Sequence, residues 1–154
     1  LFEGSFRSSS MRDEGLPPLA QAVCRGGWPA LVDAGFEAAA PTIDGYLDAL
    51  FEVSVPKKGG SSHTARRVAA SLARNVATAA TLDTIADDAF GDERADSSRN
   101  TVSFYLDLFK DLYFIDELFG WDAPVRSRSR VRTEPKRYFA DPSSFAMADG
   151  RASR

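Results

Sequence analysis

Four arginines stand at every second position of a short segment in the C-terminal part of the chain. They are Arg126, Arg128, Arg130 and Arg132, and we call them the basic strip. In a β-strand, side chains two residues apart point to the same side, so this spacing presents all four guanidinium groups together. Guanidinium groups form strong bidentate hydrogen bonds with phosphate. The basic strip therefore predicts a surface that contacts phosphate groups.

A segment with helical periodicity precedes the basic strip and carries polar side chains that suit nucleic acid. Its apolar stripe consists of Val102, Tyr105, Leu106, Phe109 and Leu112. If this stripe faces a core, the polar residues that face outward are Arg99, Asn100, Ser103 and Lys110. Arginine and asparagine carry the donor and acceptor groups that read base edges in the major groove. Double-stranded DNA is therefore one predicted partner of this helix and of the basic strip.

The same helix also carries residues that favour a protein partner. Asp107 and Asp111 lie on or near its outer side and would repel phosphate. Phe104 lies outside the apolar stripe, and an exposed phenylalanine is typical of a protein-binding surface. Two alternatives follow. Either this region contacts DNA, or it packs against another domain or protein through Phe104 and the basic strip.

Charge is distributed unevenly along the chain, whose net charge is −3. Residues 1–125 carry 11 basic and 19 acidic side chains, whereas residues 126–137 carry six basic and one acidic side chain. A protein that is acidic overall is a poor nonspecific binder of polyanions. Salt screens charges over about 10 Å, so distant acidic residues do not prevent local contact between the basic strip and phosphate.

The sequence carries no motif for catalysis or metal binding. In the run PKKGGSS at 56–62 the lysines precede the glycines, whereas a P-loop requires a lysine after its last glycine. His63 is the single histidine, and no nucleophile elbow occurs in the chain. One histidine and one cysteine, Cys24, cannot build a structural zinc site. The chain is therefore predicted to have no enzymatic activity and no cofactor of its own.

The composition predicts a cytoplasmic protein without a membrane partner. A single cysteine excludes a disulfide framework within the chain and fits a reducing compartment. No apolar run approaches the length that spans a bilayer. The first residue is Leu1 rather than methionine, and we expect the chain to be part of a longer protein.

Periodicity and turn residues predict the order of the secondary structure. Helices are predicted at 16–23, 29–33, 42–51, 62–76, 82–90 and 98–112, and strands at 113–118 and 136–139. Thr42 and Thr81 are the expected N-caps of their helices, and Gly91 is expected to end a helix. Residues 53–62 have the composition of a loop. The fold class is therefore predicted to be mainly α, with a winged helix-turn-helix that ends in a short β-hairpin.

Several segments resemble a known family when they are taken in order. LARNVATAATLDTIADD, SRNTVSFYLDLFKDLYFIDELFGW and RSRSRVRTEPKRYFADPS resemble the domain of unknown function that follows the AAA module in many bacterial and archaeal ATP-binding proteins. CRGGWPALV resembles a Gly-Gly-aromatic-Pro segment late in the ATPase lid of the same proteins. The resemblance covers roughly residues 20–145. The acidic and serine segment near 52–54 and the residues after Asp141-Pro142 depart from the family pattern.

The resemblance implies a division of the chain and a role for it. Residues 1–55 correspond to the helical end of an AAA-type lid, 56–62 to a linker, 63–140 to a winged helix-turn-helix, and 141–154 to a tail at the start of a missing C-terminal domain. The parent would be a bacterial P-loop ATPase that binds ATP and Mg²⁺ in its missing domain. The expected partners are that ATPase domain and a nuclease-like domain, and the expected role is to couple the ATPase to an effector domain or to DNA.

Overall fold

The structure is a computed structural model that describes residues 16–31, 33, 35–120 and 134–148. The described chain is mainly α-helical with a small two-stranded antiparallel sheet, which confirms the prediction of a mainly α fold. The basic strip, Arg126, Arg128, Arg130 and Arg132, lies outside the described residues. Its contact with phosphate stays a prediction.

Seven stretches of α-helix and two strands follow one another in the described residues. The helices are α1 (Leu16–Arg25), α2 (Phe36–Ala49), α3 (Val55–Lys57), α4 (Ser62–Arg74), α5 (Leu82–Phe90), α6 (Ser98–Asp111) and α7 (Pro142–Ala148). The strands are β1 (Ile115–Leu118) and β2 (Lys136–Phe139), paired antiparallel with Ile115 opposite Phe139. Short 3₁₀ turns occur at Pro29–Leu31 and Gly91–Glu93, and a π-helical turn at Leu50–Ser54.

Local sequence signals set the ends of α4 and α5. The Ser61 hydroxyl accepts a hydrogen bond from the backbone N–H of Thr64, and the Thr81 hydroxyl accepts one from Thr84 at 3.1 Å. Gly91 ends α5 with a φ of 50°, a conformation that a residue with a Cβ rarely adopts. The predictions of Thr81 as N-cap and Gly91 as the end of this helix are confirmed.

The helix predicted to start at Thr42 starts six residues earlier, so that prediction was wrong. Gly35 is the N-cap of α2, and Pro41 lies within the helix. A proline there removes one backbone hydrogen bond and costs about 3 kcal/mol. Ala39 and Ile43 lie one helical turn apart, and both are fully buried. Burial of this face outweighs the local signal of Pro41 and Thr42, because tertiary packing supplies most helical stability.

The prediction of a loop at 53–62 was also wrong for residues 53–57. The backbone stays helical through Lys57, first as a π-helical turn and then as α3. Val55 is fully buried, and the Ser62 hydroxyl donates a 2.7 Å hydrogen bond to the Phe51 carbonyl in the π-helical turn. The widened turn leaves room for the ring of Pro56, which in a regular helix clashes with a carbonyl four residues earlier.

A cluster of phenylalanine rings lies at the centre of the fold. Phe109 and Phe114 pack edge to face at 5.3 Å between ring centroids, and Phe51 packs against Phe114 at 5.8 Å. Phe139 of β2 extends the cluster, at 5.1 Å from Phe114. Each such aromatic pair adds about 0.5–1.5 kcal/mol beyond the burial of area. One buried core therefore joins residues before and after the linker predicted at 56–62.

The last described helix packs against helices near the start of the described chain. Helix α7 packs against α1, α2 and α4, although the sequence suggested a tail from residue 141. Strand β1 begins at Ile115 rather than at the predicted Tyr113, because Tyr113 has a φ of 54° and its backbone leaves the extended region. This turn leads the chain from α6 directly into the hairpin.

Candidate functional site

Helix α6 carries the residues predicted to read DNA, and two of them are exposed. Arg99 and Asn100 lie in the first turn and are accessible to solvent. Arg99 is not an isolated cation, because its Nη1 lies 3.3 Å from an oxygen of Asp83 on α5. The other oxygen of Asp83 lies 2.7 Å from Nη2 of Arg94. One carboxylate thus binds two arginines at the start of α6.

The other two predicted residues, Ser103 and Lys110, are only half-exposed. The Lys110 ammonium lies 2.8 Å from Asp107 and 3.1 Å from Glu117 of β1. The hydrogen bond to Asp107 is the largest cause of a raised pKa of Lys110; partial desolvation acts against it, and Glu117 adds to the rise. Lys110 therefore ties α6 to the hairpin, and its charge is compensated within the protein.

Every arginine between α4 and α6 contacts a carboxylate of a neighbouring element. Arg66 contacts Asp48 and Glu52, Arg67 contacts Glu93, Arg74 contacts Asp88, Arg94 contacts Asp83 and Asp87, and Arg99 contacts Asp83. Of these arginines, only Arg99 was predicted from the sequence to contact DNA. In the fold their field is reduced by carboxylates within ion-pair distance. This described face therefore lacks a cluster of uncompensated cations.

A buried ion pair that the sequence analysis missed fixes the hairpin. Glu117 and Arg137 stand opposite each other in the β1–β2 register, with their charged atoms 3.0 Å apart. Their side chains are only 12% and 7% exposed. Arg137 also donates to the Ala80 carbonyl at 2.8 Å, and its own carbonyl accepts from Ala77. Opposite charges on two predicted strands were the available signal, but the register was needed to pair them.

The outer face of α6 forms a small cleft around Phe104. The Phe104 side chain is 44% exposed, and a cavity of about 150 Å³ is lined by Lys58, Phe104, Asp107, Leu108 and Asp111. Lys58 binds Asp111 at 3.0 Å across the cleft. We call these five residues the Phe104 cleft. Phe104, the residue predicted to bind a protein partner, therefore presents an accessible apolar surface that is flanked by the charged side chains of the cleft.

A second cavity lies where the GGWP segment meets the residues after β2. The backbone N–H of Gly27 donates to the Asp141 carboxylate at 2.8 Å, and the Trp28 indole donates to Ser143 at 3.1 Å. Asp141 also accepts from the backbone N–H of Ser143 at 2.9 Å. The cavity has a volume of about 220 Å³. The sequence indicated Asp141 only as a turn residue, so this long-range role was missed.

The described part of the chain contains neither a metal-binding cluster nor a helix that could span a membrane. No group of three or more histidine, cysteine, aspartate or glutamate side chains there could hold a metal ion. His63 is exposed at the start of α4, and Cys24 is a half-buried free thiol. None of the helices within the described ranges is long and apolar enough to cross a bilayer.

A family model for a domain of unknown function, DUF8612, matches residues 17–153. The chain belongs to this family. The match includes the Phe104 cleft, the cavity beside Asp141 and the basic strip. No curated protein and no solved structure matches the chain. The resemblance to proteins with an AAA module stays a prediction.

Proposed function

We propose that this DUF8612 chain is a non-catalytic module that binds a partner protein through the Phe104 cleft. The observation that carries this proposal is the exposure of Phe104 on α6, where the described cations Lys58, Arg99 and Lys110 are each paired with a carboxylate. Full burial of an exposed phenylalanine contributes about 1.5–3 kcal/mol, and Phe104, which is 44% exposed, would contribute about 1 kcal/mol to association. Binding energy in protein interfaces is concentrated in a few such residues.

The charges beside Phe104 indicate the chemistry of the partner. Asp107 and Asp111 have side chains that are 72% and 66% exposed, so each retains a large hydrated surface. A partner segment that inserts an apolar side chain and carries a basic residue beside it would complement this cleft. Charge complementarity of this kind contributes mainly to specificity and to the rate of association.

The partner that we propose is the ATPase or effector portion of a bacterial AAA-type protein. The sequence resemblance supports this part of the proposal, as does the order of three helices, a strand and an antiparallel strand from α4 to β2. In that arrangement the module is a winged helix-turn-helix that follows an ATPase lid, and ATP and Mg²⁺ bind in the ATPase domain. Its role is to couple the ATPase to the effector.

A second candidate function is contact with duplex DNA. Asn100 and Arg99 are exposed in the first turn of α6, where base contacts start in helices of this kind. The basic strip would then bind the phosphate backbone. The carboxylates at Asp83, Asp107 and Asp111 oppose this candidate, because they lie on or beside the same helix and repel phosphate.

Photocrosslinking in the native full-length protein tests the choice between these two functions. A benzophenone amino acid replaces Phe104 in one variant and Asn100 in a matched control, since both positions lie on α6 and are exposed. We expect crosslinks from position 104 to one defined protein segment, and Phe104→Ala should then weaken binding of that segment about 10-fold or more. Crosslinks to DNA from position 100, with none to protein from position 104, would contradict the proposal.

A further inference from the structure

The cavity beside Asp141 combines aromatic rings with a carboxylate. Trp28, Tyr46, Tyr113 and Phe114 contribute to its lining together with Asp141. The rings of Trp28 and Tyr46 meet edge to face, with centroids 5.0 Å apart. Its volume of about 220 Å³ is below the roughly 300–1,000 Å³ of pockets for drug-sized ligands. The cavity therefore suits a single head group or one side chain.

Among the described residues, the Asp141 carboxylate has no ion-pair partner at this cavity. Its hydrogen bonds come from the backbone N–H groups of Gly27 and Ser143 and from the Ser143 hydroxyl, all of which are neutral donors. No ammonium or guanidinium group within the described ranges forms an ion pair with it. Neutral donors orient a carboxylate but leave its net charge in place, so the site attracts a cation.

The negative charge of Asp141 also acts on Tyr46, another residue that lines the cavity. Burial, and secondarily the negative charge of Asp141, raises the pKa of Tyr46 above 10.0. The field of Asp141 thus extends across the cavity to a second lining residue. The field of Asp141 disfavours a phenolate and would favour a bound cation, whereas burial, the larger cause of the raised pKa of Tyr46, disfavours either charged form.

Tyr113 supplies a ring at the edge of the cavity at a conformational cost. Its side chain is 85% exposed, and its φ of 54° lies in the left-handed region that residues with a Cβ rarely adopt. Exposed ring surface beside a carboxylate is the arrangement that binds quaternary ammonium groups, because the ring face carries negative electrostatic potential.

We propose that this cavity binds an organic ammonium head group. The ligand is a small quaternary amine such as choline, or a methylated lysine side chain of a peptide, since both present the same cation. Trp28 and Tyr113 supply ring surface, and Asp141 supplies the charge. The proposal does not depend on the Phe104 cleft, which has a different lining.

Titration of the full chain with choline tests this site directly. The readout is Trp28 fluorescence in a Trp121→Phe background, because the chain has two tryptophans. The control ligand is 3,3-dimethylbutan-1-ol, which has the shape of choline without its charge. Peptides with trimethyllysine or unmodified lysine form the second pair. We expect the charged or methylated member of at least one pair to bind at least 10-fold more tightly than its control.

Two substitutions locate the binding within the cavity. Tyr113→Ala removes an exposed ring and should weaken binding about threefold without loss of folding. Asp141→Asn removes the charge and should weaken binding about 10-fold or more. Because Asp141 also holds Gly27 and Ser143, circular dichroism must show that this variant is folded, and Tyr113→Ala provides the test if it is not. Phe104→Ala is the control variant and should leave choline binding unchanged.

A second readout follows Tyr46 by its absorbance at high pH. A bound cation should lower the pKa of Tyr46, since it offsets the field of Asp141, whereas the neutral alcohol should not. Preference for choline identifies a small-molecule site, and preference for the trimethyllysine peptide identifies a protein ligand; either result supports the proposal. Absence of binding by both cations, or equal binding of the two members within both pairs, would overturn it.

Discussion

Asp141 accepts a 2.8 Å hydrogen bond from the backbone N–H of Gly27, a residue 114 positions earlier in the chain. This contact joins the end of α1 to the start of α7, next to the aromatic cavity. It also explains the glycine at position 26. A side chain there would occupy the space that Asp141 and Ser143 fill.

Gly26→Ala should destabilise the protein much more than Gly27→Ala. Gly26 has a φ of 77°, and a Cβ there would overlap with the Asp141 carboxylate and lie 2.8 Å from the Ser143 hydroxyl. The left-handed backbone alone costs about 1–2 kcal/mol for alanine, so we expect a loss of roughly 2 kcal/mol or more. A Cβ at Gly27 would meet only Asp141, at 3.4 Å. Urea denaturation measures both variants, and equal losses would show that the contact between α1 and α7 is not tight.

Removal of one partner of the Glu117–Arg137 pair should cost about 3 kcal/mol, near the lower end for a buried pair, because Glu117 keeps Lys110 and Arg137 keeps Glu134 as second ion-pair partners. Replacing both residues, as Glu117→Leu with Arg137→Met, should cost much less than the sum of the single losses. Arg99→Ala is the exposed control and should change the free energy of unfolding by less than about 1 kcal/mol. A small effect of Arg137→Ala in chemical denaturation would argue against the buried pair.

The raised pKa of Tyr46 predicts a specific change at high pH. In the folded protein the phenol stays protonated above pH 10.0, the value at which an ordinary tyrosine ionises. The stability that depends on the neutral phenol is fully present below that pH and is lost as the pH rises through the folded pKa. The tyrosinate absorbance that Tyr46→Phe removes should therefore appear above pH 10. Asp141→Asn should move it to lower pH, and no movement would show that Asp141 does not act on Tyr46.

Duplex DNA should bind weakly and only at low salt if the chain is a protein-binding module. Any affinity from the basic strip depends on release of counterions, and four phosphate contacts already predict a steep loss between low and physiological salt. Substitution of Arg126, Arg128, Arg130 and Arg132 by alanine should abolish this residual binding in a fluorescence titration. Binding that persists at physiological salt and is lost in Asn100→Ala would instead favour the DNA candidate.

Short-range sequence signals determine many of the positions at which helices begin and end. Helix α5 begins at its predicted cap, Thr81, and ends at Gly91, because hydroxyl capping and a positive φ depend on residues within one turn. The apolar stripe of α6 correctly placed Val102, Tyr105, Leu106 and Phe109 in the core. Local signals failed at Pro41 and Pro56, where burial of Ile43 and Val55 kept the chain helical.

The sequence by itself determined that the protein is mainly α and that Phe104 is accessible. Only the tertiary structure decided which charges are compensated. Arg99 meets Asp83 between α5 and α6, and Arg137 meets Glu117 between β1 and β2. The tertiary structure likewise brought Asp141 to Gly27 and Trp28. Such pairings depend on register and helix packing, which composition and periodicity do not specify, and they decide which charged groups on α6 remain available to a partner.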